Sequence, residues 1–223
     1  MLATLRAIWQ ADGAFPSGSI AFSYGIEGAL ALQPDLGSEA FAALVQTILR
    51  QRWASYDRIA LLRAFRARDD LDAIAAIDRE VEASTLVETL RTGSRRHGAS
   101  FLASHARLGD PRAGRLREAV RSGRCLGHIA VMQGAVWSAT LPDASLAQLT
   151  SGYAVASSMI TAAVRLGAIG ALPGQALLRD CLPLIAELAA DETSELTELS
   201  SFLPFLEIAS ARHARSEVRL FAN

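Results

Sequence analysis

Helical periodicity is the feature that most constrains how this chain folds. Apolar residues recur at intervals of three and four over most of the sequence, which is the spacing of one face of an α-helix. Runs of β-branched residues bounded by turn residues, which would predict strands, are missing. Hydrophobic residues make up 51% of the 223 positions, enough for a sizeable core. The sequence therefore predicts an all-α, single-domain helical bundle over residues 1–223.

Capping and breaking residues mark several helix boundaries. Asp70 is placed to cap one helix, and Gly109-Asp110-Pro111 breaks the chain before another, which is rich in arginine. Leu141-Pro142-Asp143 predicts a turn. The pattern does not decide whether the helices on either side of Trp53 are continuous.

One segment, Tyr153 to Leu172, is long and apolar enough to be compared with a membrane span. Arg165 would lie near its middle, and a central arginine costs about 2.5–3.5 kcal/mol on insertion scales. We therefore interpret the part from Tyr153 to Leu166 as the buried, apolar central helix of the bundle. Arg165 needs acceptors if it is buried, so it is either clamped by carbonyls or a carboxylate, or faces an interface.

Composition excludes several classes of function. The net charge of −1 gives no reason to expect a nucleic-acid partner. All 22 positive residues are arginines, so the chain has neither the lysine of a Walker A loop nor one for a Schiff base. Cys125 and Cys181 stand apart, which favours free thiols in a reducing cytoplasm. The N-terminus does not resemble a signal peptide, and we expect a cytoplasmic protein without a membrane segment.

No motif for catalysis or metal binding stands out. His97 and His105 are too far apart on their predicted helix for a zinc-type pair, although a site shared across a dimer axis stays possible. None of the serines lies in a G-x-S-x-G motif. The motifs therefore favour neither a catalytic triad nor a metal site, and a small helical hydrolase is the remote alternative.

The stretch from Asp12 to Gly28 predicts a loop that turns into a helix. Pro16 fixes its own backbone, and Gly18 permits angles that other residues resist. Gly25 and Gly28 lie next to the apolar face of the following helix. Glycines at such positions indicate that another backbone packs closely, either from this chain or from a partner.

Several segments of the chain resemble one known family. Ala11–Ser19 and Ser23–Glu27 are similar to the N-terminal signature of the UreF family of urease accessory proteins. Ala162–Gly167 resembles the central helix motif of that family. Arg212-His213 and Arg219-Leu220-Phe221 resemble its C-terminal tail. The matches occur in order over nearly the whole chain.

The resemblance implies a non-enzymatic cytosolic chaperone that is all-α and forms a homodimer. Such a protein binds UreD, called UreH in some organisms, and recruits the GTPase UreG. The assembly inserts nickel into the urease apoprotein, with nickel and GTP handled by the partner proteins. An alternative is that the chain activates the GTPase of UreG by supplying a residue in trans.

The resemblance also implies which residues bind partners. We expect the tail, about 215–223, to be mobile alone and to order against UreD, burying Leu220 and Phe221. We further expect Glu27 to meet an arginine of a partner. The complete set of predicted partner-binding residues is Phe15, Pro16, Ser17, Gly18, Ser23, Tyr24, Glu27, Arg165, His213, Arg219, Leu220 and Phe221.

Overall fold

The computed structural model describes residues 1–194, 196–214 and 220–221. Helices provide all the regular secondary structure in these ranges, and no strand occurs there, which confirms the predicted all-α fold. The α-helices are α1 (Leu2–Ala11), α2 (Ile26–Leu32), α3 (Ser38–Ile48), α4 (Arg58–Ala67), α5 (Leu71–Ser84), α6 (Glu88–Arg107), α7 (Pro111–Arg121), α8 (Ile129–Thr140), α9 (Ala144–Arg165), α10 (Ala171–Ala190) and α11 (Pro204–His213).

Aspartates cap three of these helices. The Asp70 carboxylate accepts two backbone N–H groups in the first turn of α5, as predicted. Asp110 does the same for α7, which begins with Pro111, a residue that fits the first helical position because it has no N–H to satisfy. Asp143 accepts the N–H of Leu146 at 2.8 Å. Each cap satisfies donors that the helix cannot pair internally.

Helices α3 and α4 are joined by a π-helical segment, Leu49–Asp57, so the chain is helical across Trp53. The indole N–H of Trp53, which is fully buried, donates to Ser151 Oγ of α9 at 3.2 Å. The wider π turn carries Arg52 and Asp57, whose side chains form an ion pair at 3.4 Å. Such segments are frequent at functional sites.

The core has two neighbouring hydrophobic clusters. One lies around α4 and α8 and includes Tyr56, Phe101 and Trp137. The other is formed by α2, α3, α9, α10 and α11 with the π segment. Helix α9 contributes to both clusters, through Ala147 to the first and through its second half to the second. The predicted central segment, Tyr153 to Leu166, packs in the second cluster and is not buried all round. Its outer face is half-buried at Tyr153 and exposed at Arg165, whereas α8 is enclosed along most of its length.

Glycines allow backbones to touch at the helix crossings. A Cβ on Gly98 of α6 would lie 2.0 Å from the carbonyl oxygen of Gly127, just before α8. A Cβ on Gly28 of α2 would lie 2.9 Å from the carbonyl oxygen of Ala209 on α11. The close backbone contact indicated by the N-terminal glycines is therefore made within this chain.

None of the helices in the described ranges combines the length and the apolar character that a bilayer-spanning segment requires. The segment compared with a membrane span, from Tyr153 onward, is divided by the break between α9 and α10.

Two glycine substitutions test this packing. Gly98→Ala should lower the free energy of unfolding by more than about 2 kcal/mol, because its methyl group meets a backbone oxygen that cannot rotate away. Gly114→Ala is the matched control, since Gly114 lies in α7 with open space around it. This control should raise stability by about 0.5–1 kcal/mol. Urea unfolding of both variants measures the difference, and equal effects would contradict the packing described here.

Candidate functional site

The loop after α1 is fastened to the body of the protein. The Asp12 carbonyl accepts the N–H of Phe15 at 2.9 Å. The Phe15 side chain is buried, with its ring centroid 5.1 Å from that of Trp9 in an edge-on contact. Pro16 is exposed, and its carbonyl accepts the hydroxyl of Ser104. Phe15 therefore anchors the loop internally, and Pro16 is the neighbour that reaches the surface.

Gly18 occupies a position that requires glycine. Its φ is +86°, and a Cβ there would lie 2.7 Å from Cβ of Ser100 on α6. The hydroxyl oxygen of Ser17 accepts the N–H of Ser19 at 3.2 Å, where a single 3₁₀ turn, Ser19–Ala21, begins. Ser17 thus bonds within the loop, while Gly18 takes the position directly before the 3₁₀ turn, which has no side-chain cap.

Glu27, in the first turn of α2, links the N-terminal motif to the last described residues of the chain. Only 6% of it is exposed, and its Oε1 accepts the N–H of Leu220 at 2.6 Å while Oε2 accepts that of Phe221 at 3.1 Å. The N–H of Glu27 donates to the hydroxyl of buried Ser23 at 3.3 Å. We expected an arginine of a partner at this carboxylate. In the structure, two backbone N–H groups of the same chain occupy that place. A buried carboxylate needs such donors, and two backbone amides supply them.

His213, at the end of α11, faces the same carboxylate. Its Nε2 lies 3.2 Å from Glu27 Oε2, which is an ion-pair distance, although the two groups are not aligned as a hydrogen bond. His213 is 7% exposed. Gly25, directly before α2, and Gly28, within it, let α11 approach closely enough for this contact.

Arg165 differs from the expectation of a buried arginine. It lies in the last turn of α9 and is exposed, so its long side chain extends over the surface. The guanidinium donates to the carbonyl of Ile20 and stands 4.6 Å from the ring centroid of Phe221. A carbonyl and an aromatic face thus hold Arg165, and no carboxylate pairs with it in the described part of the chain.

The tail residues fall into two groups. Phe221 is 4% exposed and is covered within this chain, so its burial does not require a partner. Leu220 is 54% exposed. Arg219 and the rest of the predicted mobile segment lie outside the described residues, and the mobility of the tail stays a prediction.

Two cavities, of about 80 and 40 Å³, lie beneath the N-terminal motif. Both are lined by Tyr24, His97, Gln133, Ser151 and Val155. Tyr24 has φ of +54°, uncommon for a residue other than glycine, and the pKa of its phenol is raised by burial and by Asp57. In the sequence, His97 stands out only as a possible metal ligand. Its place at these cavities has no signal there, because the pattern does not show that α6 faces the motif.

A serine–histidine–glutamate contact bears on the hydrolase alternative. His128 is fully buried, with Nδ1 3.1 Å from Ser94 Oγ and Nε2 2.8 Å from Glu82 Oε2. Ser94 Oγ also accepts the N–H of Ile129 in the first turn of α8. Glu82 is also paired with Arg95, at 3.2 Å. These bonds hold the start of α8 in place. The geometry therefore supports a structural role for Ser94 rather than a role as a nucleophile.

Among the residues that the structure describes, no group of three or more histidine, cysteine, aspartate or glutamate side chains is placed to hold a metal ion. The histidines contact single carboxylates, amides or aromatic rings.

The sequence of the chain is similar to that of known proteins over nearly its whole length. The UreF family model matches residues 37–182. Urease accessory protein UreF 1 of Brucella melitensis is 30% identical over 224 aligned positions, covering 98% of this chain and 92% of the relative. Urease accessory protein UreF of Trichodesmium erythraeum is 28% identical over 228 positions, covering 98% and 96%. The chain belongs to the UreF family of urease accessory proteins.

Removing the Glu27 carboxylate should release the end of the tail. We expect Glu27→Ala to lower the free energy of unfolding by about 2 kcal/mol, because two charge-assisted hydrogen bonds are lost. Hydrogen exchange at the amides of Leu220 and Phe221 should rise at the same time. Glu39→Ala, at an exposed position in the first turn of α3, should cost less than about 0.5 kcal/mol. Unchanged exchange at the two tail amides would contradict the assigned bonds.

His97 makes stability depend on pH. Burial lowers its pKa from 6.5 to about 4, so between these values the unfolded chain binds a proton that the folded chain does not. Stability should therefore fall as the pH drops from about 6.5 to 4, with about 3 kcal/mol assigned to this residue. The pKa values of His105 and His128, also lowered by burial, act in the same direction.

His97→Gln isolates the contribution of His97, because it keeps a polar nitrogen but does not titrate in this range. Unfolding free energies measured across this pH window should be less steep for the variant than for the parent protein. Parallel curves would show that His97 is not the buried, neutral group described here.

Proposed function

We propose that this chain is an assembly platform in urease maturation. As a homodimer in the cytoplasm, it binds UreD/UreH and recruits the GTPase UreG, which allows nickel to be inserted into the urease apoprotein. The chain itself performs no catalysis and holds no cofactor, since nickel and GTP belong to its partners. Membership of the UreF family is the observation that carries this proposal.

The contacts around Glu27 support a particular binding surface. Pro16, Ile20, Arg165 and Leu220 are all exposed, and we call these four residues the clasp surface. The carbonyl of Ile20 accepts from Arg165, and the N–H of Leu220 donates to Glu27. Exposed apolar side chains on a backbone held in this way lose little entropy on binding and make good anchors for a partner.

Substitution of Ile20 tests this surface. Ile20 is 64% exposed, so Ile20→Asp should leave the melting temperature unchanged while weakening capture of UreD/UreH by about 2 kcal/mol or more, because a charge enters an apolar contact. Leu172→Asp is the matched control at the start of α10, where Leu172 is 82% exposed. Copurification with UreD/UreH and UreG-dependent urease activation are the measurements.

The proposed surface predicts loss of both readouts for Ile20→Asp and of neither for Leu172→Asp. Normal complex formation by Ile20→Asp would rule out the clasp surface as the docking site. Normal urease activation in the absence of the whole chain would rule out the proposed function itself.

A further inference from the structure

Helix α11 carries large apolar side chains on the side that faces away from the core. Leu206 and Ala209 are buried, whereas Phe205 and Ile208 are 38% and 56% exposed. Phe202, which precedes the helix, is 74% exposed. We call Phe202, Phe205 and Ile208 the outer face. Single exposed apolar residues are common on protein surfaces, but three large ones within seven positions indicate a contact surface.

Hydrogen bonds to the π-helical segment hold the backbone that leads into this helix. The N–H of Ser200 donates to the carbonyl of Ser55 at 3.0 Å, and the Ser55 hydroxyl donates to the carbonyl of Ser200 at 2.7 Å. The N–H of Phe202 donates to the carbonyl of Gln51 at 3.4 Å. Leu203, the next residue, is buried in the core. The outer face is therefore presented on a fixed backbone, so that little backbone entropy is lost when a partner binds it.

Carboxylates accompany the outer face. Residues 180–211 contain seven acidic residues and no basic one. Glu198 is exposed and lies four positions before Phe202, so the chain keeps the two residues within about 14 Å of each other. Glu207 is half-buried and directly precedes Ile208. Among the residues that the structure describes, neither carboxylate forms an ion pair.

Basic residues stand at two places near this acidic segment. Arg58 and Arg66 donate to the backbone carbonyls of Asp191 and Thr193, and they offset the negative charge there. Arg212 is exposed one turn after the outer face. The uncompensated carboxylates therefore lie between these two places along the chain, beside the outer face.

We propose that the outer face binds a segment of another protein in which apolar side chains are flanked by lysine or arginine. The apolar side chains of that segment cover the outer face, and its cations pair with the carboxylates of Glu198 and Glu207. Because Arg212 adds positive charge at the far end, those cations lie towards Glu198. Anionic lipids and nucleic acids are not favoured, since their phosphates would meet the same carboxylates. The outer face shares no residue with the clasp surface, so this inference goes beyond the docking proposed there and does not depend on it.

Fluorescence anisotropy with labelled peptides and the full-length chain tests the proposal. The probe is the peptide Lys-Leu-Leu-Lys-Lys-Leu-Leu-Lys, compared with peptides in which glutamate replaces lysine or serine replaces leucine. Only the probe should bind in a saturable way. Ile208→Ser should weaken its binding about tenfold or more, and Glu198→Gln combined with Glu207→Gln should weaken it about fivefold.

Two exposed positions elsewhere in the chain provide matched controls. Leu172→Ser at the start of α10 and Glu39→Gln in the first turn of α3 should leave binding of the probe unchanged. Ile208→Ser should also keep the melting temperature of the parent protein, because the side chain that it removes is exposed. The melting temperature thus separates a lost contact from a loss of folding.

Several results would overturn the proposal. Equal binding of the serine peptide would show that charge alone attracts the probe, and equal binding of the glutamate peptide would show that the carboxylates play no part. Equal affinities of the Ile208→Ser and Leu172→Ser variants would place the contact elsewhere. Binding to phosphatidylglycerol vesicles that Ile208→Ser abolishes would assign the outer face to a membrane. Self-association that the same substitution abolishes, measured by sedimentation, would show that a second copy of the chain covers it.

Discussion

The buried carboxylate of Glu27 is the interaction on which the arrangement of the two chain ends depends. A carboxylate removed from water must be matched by donors, because its desolvation is otherwise too costly. Here the donors are the backbone amides of Leu220 and Phe221. The N-terminal motif and the C-terminal residues, far apart in sequence, therefore form one surface.

That carboxylate is in place only because helices α2 and α11 approach closely. Gly28 lets the two backbones touch, and Gly25 leaves room for Leu206 and Ser210 of α11. Gly98 has the same effect where α6 passes the chain segment before α8. Because glycine has no side chain, these helices pack closely. Their spacing determines where the Glu27 carboxylate lies and what shape the neighbouring cavities have.

Local signals in the sequence predicted much of the fold. Asp70 and Asp110 act over a few residues, and the helices that they cap begin where the pattern indicates. The environment of Glu27 could not be predicted in this way, because its donors lie at the other end of the chain. Arg165 was placed inside an apolar helix by its neighbours in sequence, but α9 ends at that residue and the side chain reaches the surface.

The cavity residues were missed for a related reason. Arg52 and Asp57 are paired by a π-helical turn, and a pattern analysis that assumes a regular α-helical period does not detect such a turn. His97 faces the motif because of how α6 packs, which depends on contacts over long sequence distances. Local sequence signals therefore predict where the helices lie. The residues of the candidate site are brought together by long-range packing, which those signals do not contain.

We propose that partners bind the clasp surface, where the N-terminal motif meets residues 220–221. Hydrogen–deuterium exchange of the chain alone and in complex with UreD/UreH tests it most directly. If partners bind there, exchange in the complex should be slower at residues 16–28 and 220–221, with little change in α7. Slower exchange confined to α7 or α10, with residues 16–28 unaffected, would contradict it.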